Sequence, residues 1–307
     1  MKAILKVLGI FVAAILCLAV VVVGGLNALK FVIYADYYSI EEEICKNPGL
    51  SDGFVCQGIC VSEERELILV SGYMKDGGKS RIYVTDLDGN SYYYELLREG
   101  KDYTGHAGGI ALSGDRVYIS NASRLFFFSL SELLDSESRI FDIGAGVKVN
   151  SAASYVFADE SYVYVGEYND PKGTQKEHIY GENHSIIERY SHEDLENPDK
   201  IYSVGDYVQG VCFTPDGRII FSTSHGLTSS VYYVYRESEA TDSGETLDGA
   251  PVYFLGECVQ RVEGPAMSED MDWYDGRVIT LSESASDKYI FGKFFFADDI
   301  VGLDFAK

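Results

Sequence analysis

The feature of this sequence that most constrains its fold is a unit that occurs five times along the chain. Each unit has a short apolar strand, a turn with an acidic residue or glycine, and a second strand of alternating apolar residues. The second strand ends in a small residue. Turn residues between two such runs are typical of a β-hairpin. The predicted hairpins span residues 57–71, 108–120, 153–166, 209–222 and 269–282.

Two further strands follow each hairpin. The third strands are predicted at residues 81–87, 124–130, 185–190, 230–235 and 288–296. The fourth strands are predicted at residues 91–97, 139–143, 200–204 and 252–257, with 300–305 as a further candidate. Four strands repeated radially make a β-propeller. We therefore expect an all-β fold, a β-propeller of five four-stranded blades. A different blade count, such as six, and a β-sandwich are the alternatives.

In the shape of its repeats the sequence resembles extracytoplasmic propellers of the NHL-repeat and SMP-30/gluconolactonase kind. The resemblance covers roughly residues 50–307 and rests on motifs such as QGVCFTPDGRIIFS at residues 209–222. It implies a propeller fold. The lactonases of that group have six blades and hold a divalent metal at the channel mouth with acidic and asparagine side chains.

The N-terminus carries an apolar stretch, residues 4–26, interrupted only by Lys6 and a few glycines. A helix needs about 20 apolar residues to cross a bilayer. A cleaved signal peptide has a shorter apolar core and a small-x-small cut site, and the best candidate, near Gly24, is poor. We expect an uncleaved signal-anchor in residues 1–34. A cleaved signal peptide and a buried core helix are the alternatives.

Charge predicts the orientation of this anchor. Lys2 precedes the apolar stretch, Lys6 lies at its leading end, and acidic residues dominate the chain after it. Lysines on the short leading side keep that side in the cytoplasm. We therefore expect a single-pass protein of the cell membrane, with a connecting segment at 35–50 and an extracytoplasmic propeller domain at 51–307.

The chain is strongly acidic, with a formal net charge of −23. Such a field repels nucleic acid and attracts cations and basic partners. We expect no nucleic-acid partner. Solubility alone also accounts for the charge, because the acidic residues are spread along the chain.

Polar residues lie where the innermost strands of the predicted blades begin. In a propeller these positions converge at one mouth of the central channel. This convergence predicts a site for a small molecule, a glycan or a protein. The alternative is that these side chains only cap exposed backbone. The candidate ligand-binding residues are Gln57, His106, Gln209, Ser268, Glu269 and Glu283.

Glu269 and Glu283 flank the last hairpin, so both carboxylates are expected at the same mouth. Paired carboxylates suit a divalent cation, with Ca²⁺ preferred by all-oxygen ligands, or acid–base chemistry. His106 could serve as a base or a metal ligand, and Glu167 is an equivalent acidic candidate after the third hairpin.

Two functions follow from these residues. The first is a binding module that uses the channel face. The second is a divalent-metal-dependent hydrolase of a lactone, phosphoester or glycan. The sequence lacks a Walker loop, a Rossmann glycine pattern, an H-E-x-x-H motif and a nucleophile elbow. It assigns no catalytic residue.

The cysteines outside the anchor include one pair that could close a short loop, Cys45 with Cys56. Cys60 and Cys212 occupy the same place in the repeat. They are expected to be buried thiols.

Overall fold

The computed structural model of the chain describes residues 2–173 and 178–307. Two helices come first, α1 (Lys2–Ile33) and α2 (Ala35–Ile40), followed by strand β1 (Glu41–Lys46). The rest of the described chain forms five antiparallel blades. Their inner strands contact one another in a closed cycle, which confirms the predicted five-bladed β-propeller.

Blades 1 and 2 follow β1. Blade 1 contains β2 (Phe54–Ser62), β3 (Leu67–Met74), β4 (Arg81–Asp86) and β5 (Ser91–Arg98), with β6 (Lys101–Asp102) beside β5. Blade 2 contains β7 (Gly109–Ser113), β8 (Arg116–Asn121) and β9 (Arg124–Ser129). After β9 come α3 (Leu130–Leu134), β10 (Ile140–Asp142) and β11 (Val147–Lys148). β11 is the outer strand of blade 2, whereas β10 pairs in parallel with β5 of blade 1.

Blades 3 and 4 have a similar exchange between them. Blade 3 contains β12 (Tyr155–Ala158), β13 (Tyr162–Gly166), β14 (Ser185–Ser191) and β15 (Lys200–Val204). Blade 4 begins with β16 (Val208–Phe213), β17 (Arg218–Thr223) and β18 (Ser230–Arg236). A 3-10 turn (Glu237–Glu239) then leads to β19 (Thr241–Leu247), β20 (Ala250–Phe254) and β21 (Gln260–Gly264). β20 pairs with β15, so the β19–β20 hairpin extends blade 3, and β21 completes blade 4.

Blade 5 joins the two ends of the chain. It contains β22 (Ser268–Tyr274), β23 (Arg277–Ser282) and β24 (Asp299–Leu303), with a short 3-10 helix (Phe291–Phe294) before β24. Its outer strand is β1, which pairs antiparallel with β24 from Glu41 opposite Leu303 to Lys46 opposite Asp299. The segment predicted as a connector therefore holds a strand that closes the ring and leaves fewer open strand edges.

One predicted strand span was wrong, and two others form strands that pair with a different blade. Residues 288–296 form a loop and a 3-10 helix that lies beside the end of α1. Residues 139–143 and 252–257 overlap β10 and β20, which pair with the preceding blade rather than their own. Sequence periodicity predicts that a segment is a strand, but the choice of partner strand depends on non-local contacts.

Several inner strands contain a glycine where neighbouring blades approach very closely. A Cβ on Gly58 would lie 2.4 Å from the backbone nitrogen of Ile110, and one on Gly210 would lie 2.6 Å from the Cα of Asp270. Such distances exclude any side chain. The glycine of the repeated Gln-Gly motif therefore reflects the narrow axis of a five-bladed ring.

The N-terminal helix stands apart from the ring over most of its length. Its segment Ile4–Ile33 is long and apolar enough to cross a membrane, and an 18-residue window within it has a mean hydropathy of 3.1. Residues 4–22 are exposed, and the side chains of Asn27 and Lys30 hydrogen-bond to the ring. This arrangement is consistent with a single-pass anchor or a signal sequence.

All cysteines in the described chain are free thiols, so the Cys45–Cys56 disulfide that the sequence allows does not form. Cys56 is instead buried and accepts a hydrogen bond from the Asn47 amide. Cys60 and Cys212 are buried, as predicted.

Candidate functional site

Two glutamates and two glutamines meet at one end of the ring. We call this end, where the inner strands begin, the mouth. Glu269 lies at the start of β22, and Glu283 follows β23 directly. The side-chain amide of Gln57 in blade 1 donates to the Glu283 carboxylate at 2.9 Å. The amide of Gln209 in blade 4 lies 3.5 Å from the Glu269 carboxylate. The structure thus brings four of the six candidate residues together.

The two carboxyl groups are perturbed by burial and by each other. Burial raises the pKa of Glu269 well above its usual value, and the nearby Glu283 charge raises it further. Burial also raises the pKa of Glu283 to about 7, although hydrogen bonding from Tyr289 and the charge of Lys288 act against it. A carboxyl group with a pKa near 7 can either donate or accept a proton at neutral pH.

Aromatic rings form one wall of the mouth beside this pair. The His106 ring packs on the Tyr73 ring with 4.4 Å between centroids. The Tyr73 hydroxyl lies 3.4 Å from the Tyr289 hydroxyl and also accepts a hydrogen bond from Lys288. His106 therefore lies at the exposed rim, and Tyr73 and Tyr289 connect it to Glu283. Desolvation by the surrounding chain and the Lys288 charge lower its pKa.

Ser268 is placed away from the mouth. Its hydroxyl lies 2.6 Å from the Tyr232 hydroxyl and accepts a hydrogen bond from Ser222 at 3.1 Å. Its backbone N–H donates to Ser230. Successive side chains of a strand point to opposite faces, so Ser268 lies in a buried hydroxyl network between blades 4 and 5 while Glu269 faces the mouth.

Glu167 is also held by its own blade. Its carboxylate accepts hydrogen bonds from the backbone N–H groups of Ala152 and Ile186 and lies 2.7 Å from the His178 Nδ1 atom. Both side chains are buried. Glu167 therefore satisfies the backbone at the end of β13.

The sequence analysis missed Asp270, a fully buried carboxylate near the ring axis. Its Oδ2 atom accepts a hydrogen bond from the backbone N–H of Ile110 at 3.3 Å, which links blade 5 to blade 2. Burial raises its pKa well above the usual range. Asp272, two residues further along β22, accepts the backbone N–H of Val61 at 2.8 Å. The sequence does mark these residues, since Asp270 stands where the aligned repeats have Gly58 and Gly210, and Asp272 stands where they have Cys60 and Cys212.

A second concavity lies at the opposite end of the channel, among the turns of the inner hairpins. Its cavity volume is about 720 Å³, and its lining includes Phe157, Tyr164, Phe213, Asp272 and Trp273. The Tyr164 and Phe213 rings stack with 3.8 Å between centroids. Sequence reasoning missed it because its residues come from turns of separate blades.

The described residues contain no group of three or more His, Cys, Asp or Glu side chains arranged to hold a metal ion. Glu269 and Glu283 alone would supply two carboxylates at the mouth. A calcium ion takes six to eight oxygen ligands, so glutamine carbonyls and water would have to complete its shell.

Comparison with known proteins adds a weak likeness of fold. No protein-family model matches the chain, and no curated protein matches it. A chain of a nidogen–laminin complex is 10% identical, with 75% of this chain and 73% of that chain covered at a TM-score of 0.44. The PQQ-bound aldose sugar dehydrogenase of Streptomyces coelicolor is 15% identical, with 78% and 76% covered at 0.43. A putative glucose dehydrogenase of Thermus thermophilus is 11% identical, with 86% and 99% covered at 0.43. These values describe a weak likeness of fold alone, and we draw no chemistry from them.

Proposed function

We propose that this chain is a membrane-tethered, extracytoplasmic propeller that binds a ligand at its mouth. The observation that carries the proposal is the Glu269–Glu283 pair. Glu269 is buried and Glu283 is half-buried in one site. The Lys288 charge acts on both carboxyl groups, but among the described residues neither lies within ion-pair distance of a basic side chain. Burying acidic groups without an ion-pair partner is costly, so their placement at a channel mouth favours a binding role over a purely structural one.

The chemistry of the mouth indicates the class of ligand. Carboxyl groups recognise hydroxyl and amino groups, and the rings of Tyr73 and Tyr289 offer flat surfaces for the apolar faces of such a molecule. A small hydroxyl-rich or amine-bearing molecule, such as a glycan unit, fits this combination. A protein ligand would have to present an equivalent polar side chain.

The tether is proposed from α1 together with the charge pattern around it. The helix has the length and hydropathy of a membrane span. Lys2 and Lys6 lie in its first turns and acidic residues follow it, which favours a cytoplasmic N-terminus and a ring outside.

Ligand binding can be tested by thermal unfolding of the full chain in mild detergent with a panel of sugars and amines. A ligand that binds the folded state raises the melting temperature. Glu269→Gln and Glu283→Gln should lose the shift, whereas the exposed control Glu245→Gln should retain it. A ligand-induced shift that survives in both mouth variants would contradict the proposed site.

A divalent-metal-dependent hydrolase is the second candidate. It is favoured by the mutual electrostatic effect of Glu269 and Glu283, because a divalent cation would neutralise both charges. In this function Ca²⁺ should stabilise the wild-type chain, EDTA should reverse the effect, and Glu269→Gln should abolish it. Absence of any response to Ca²⁺ or EDTA would leave the binding module as the function of the mouth.

A further inference from the structure

The strongest apolar exposure on the ring is confined to one end. Among the described residues of the ring, the four most exposed large hydrophobic side chains are Ile290 (79%), Phe291 (63%), Ile179 (60%) and Leu227 (55%). Each lies in a connection between the second and third strands of a blade. In an antiparallel blade these connections lie at the end where the inner strand begins, so all four side chains lie at the mouth end of the ring, on blades 3, 4 and 5.

The anchor helix contacts the same end of the ring. The Asn27 side-chain amide donates to the backbone carbonyl of Lys293 at 2.9 Å, and the Lys30 ammonium donates to that of Phe296 at 2.7 Å. These carbonyls belong to the segment 283–298, which begins with Glu283 and carries Ile290 and Phe291. We call it the rim segment.

The contact sets the height of the rim segment relative to a bilayer. From Ile4 to Asn27 a helix rises about 35 Å at 1.5 Å per residue, close to the roughly 30 Å thickness of the hydrocarbon core. Asn27 therefore reaches the outer boundary of the hydrocarbon when the apolar stretch is inserted. Lys293, in contact with Asn27, brings the exposed Ile290 and Phe291 to the same level.

We propose that the ring rests on the membrane with its mouth toward the bilayer, and that the rim segment inserts Ile290 and Phe291 into the headgroup–acyl boundary. This inference rests on the membrane tether of the proposed function. Leu227 and Ile179 lie in the corresponding connections of blades 4 and 3 and extend the contact around the mouth. We assign the lipid interface as the partner that covers this apolar surface, because the contact with α1 holds the surface at that level.

Charge supports a contact that is apolar rather than electrostatic. The net charge of −23 repels anionic headgroups, so contact with lipid has to come from burial of apolar side chains. Burying one such side chain contributes roughly 1.5–3 kcal/mol, which is enough to orient a ring that is already tethered. The Glu269–Glu283 pair then opens toward the membrane surface, and its ligand enters from the headgroup layer.

The test uses the full chain reconstituted in phosphatidylcholine liposomes. Trp273, at the far end of the channel, is the single tryptophan of the chain. In a Trp273→Phe background, Phe291→Trp should be quenched by brominated lipid and should emit at shorter wavelength than in detergent. The matched control is Val259→Trp, an exposed position (46%) in the connection before β21, which should be quenched far less.

Two outcomes would overturn the inference, and they are distinguishable. Quenching of Phe291→Trp no stronger than that of Val259→Trp, in protein that resists alkaline extraction, would show a tethered ring that does not rest on its mouth. If alkaline pH extracted the wild-type chain from the liposomes, the chain would not be anchored in the membrane. Both the proposed tether and this inference would then be wrong. If Phe291→Trp is poorly folded, Ile290→Trp supplies the same readout.

Discussion

Replacing Glu283 by glutamine should change how the stability of the protein depends on pH. Burial raises the pKa of the folded carboxyl group to about 7, compared with 4.5 for the free group. Between these values the folded protein keeps a proton that the unfolded chain has lost. The free energy of unfolding of the wild type must therefore fall as the pH rises from about 4.5 to 7.

The size of this effect follows from the two pKa values. One pKa unit corresponds to about 1.4 kcal/mol, so Glu283 alone should lower the free energy of unfolding by about 3 kcal/mol between pH 4.5 and pH 8. Partial exposure of the side chain reduces this to about 2 kcal/mol. Glutamine cannot ionise and still accepts hydrogen bonds, so Glu283→Gln should match the wild type at pH 5 and exceed it at pH 8.

Urea unfolding of the full chain in non-ionic detergent, followed by Trp273 fluorescence at pH 5 and pH 8, measures the difference. Glu245→Gln is the matched control, because it removes an exposed carboxylate in β19. The reasoning would be refuted if Glu283→Gln and Glu245→Gln both kept the wild-type dependence on pH.

Three other perturbations test the architecture. Gly58→Ala should destabilise the ring by about 1–3 kcal/mol or prevent folding, because its Cβ would lie 2.4 Å from the Ile110 backbone nitrogen; chemical unfolding measures this. Asp270→Ala should cost about 1–3 kcal/mol in the same assay, since it leaves the Ile110 N–H without its acceptor. In the native protein a thiol reagent should modify the exposed Cys258 quickly and the buried Cys60 only on unfolding, as peptide mapping by mass spectrometry would show.

Each of these three predictions has an outcome that would contradict it, and the first also has a control variant. Gly205→Ala places a Cβ in open space and should change stability little. Wild-type stability in Gly58→Ala would contradict the close approach of the inner strands. Wild-type stability in Asp270→Ala would show that the link across the ring contributes nothing. Labelling of Cys60 at the rate of Cys258 would contradict its burial.

The local sequence pattern was sufficient to predict the inner hairpin of every blade and the number of blades. The Ser-Gly-Asp turn at residues 113–115 and the Pro-Asp-Gly turn at 215–217 join strands that are close in sequence, so turn chemistry and alternation define them without distant contacts. The Glu269–Glu283 pair was predictable for the same reason, because two residues that flank one hairpin lie side by side.

Other parts of the site depend on contacts that no local pattern encodes. Ser268 and Glu269 are adjacent in sequence, yet one joins a buried hydroxyl network and the other faces the mouth. Asp270 in blade 5 accepts a hydrogen bond from Ile110 in blade 2, and these two blades are not adjacent in the ring. Such pairings are set when the ring closes.

The sequence alone was enough for a repeated four-stranded unit, an apolar helix at the N-terminus and an acidic pair at the last hairpin, since all three are properties of short segments. Tertiary structure decided that β1 is the outer strand of blade 5, that β10 and β20 extend neighbouring blades, and that the rim segment lies against α1. These outcomes join residues up to 266 positions apart. They follow from the closure of the ring, because only the closed ring places α1 and β1 against the last blade.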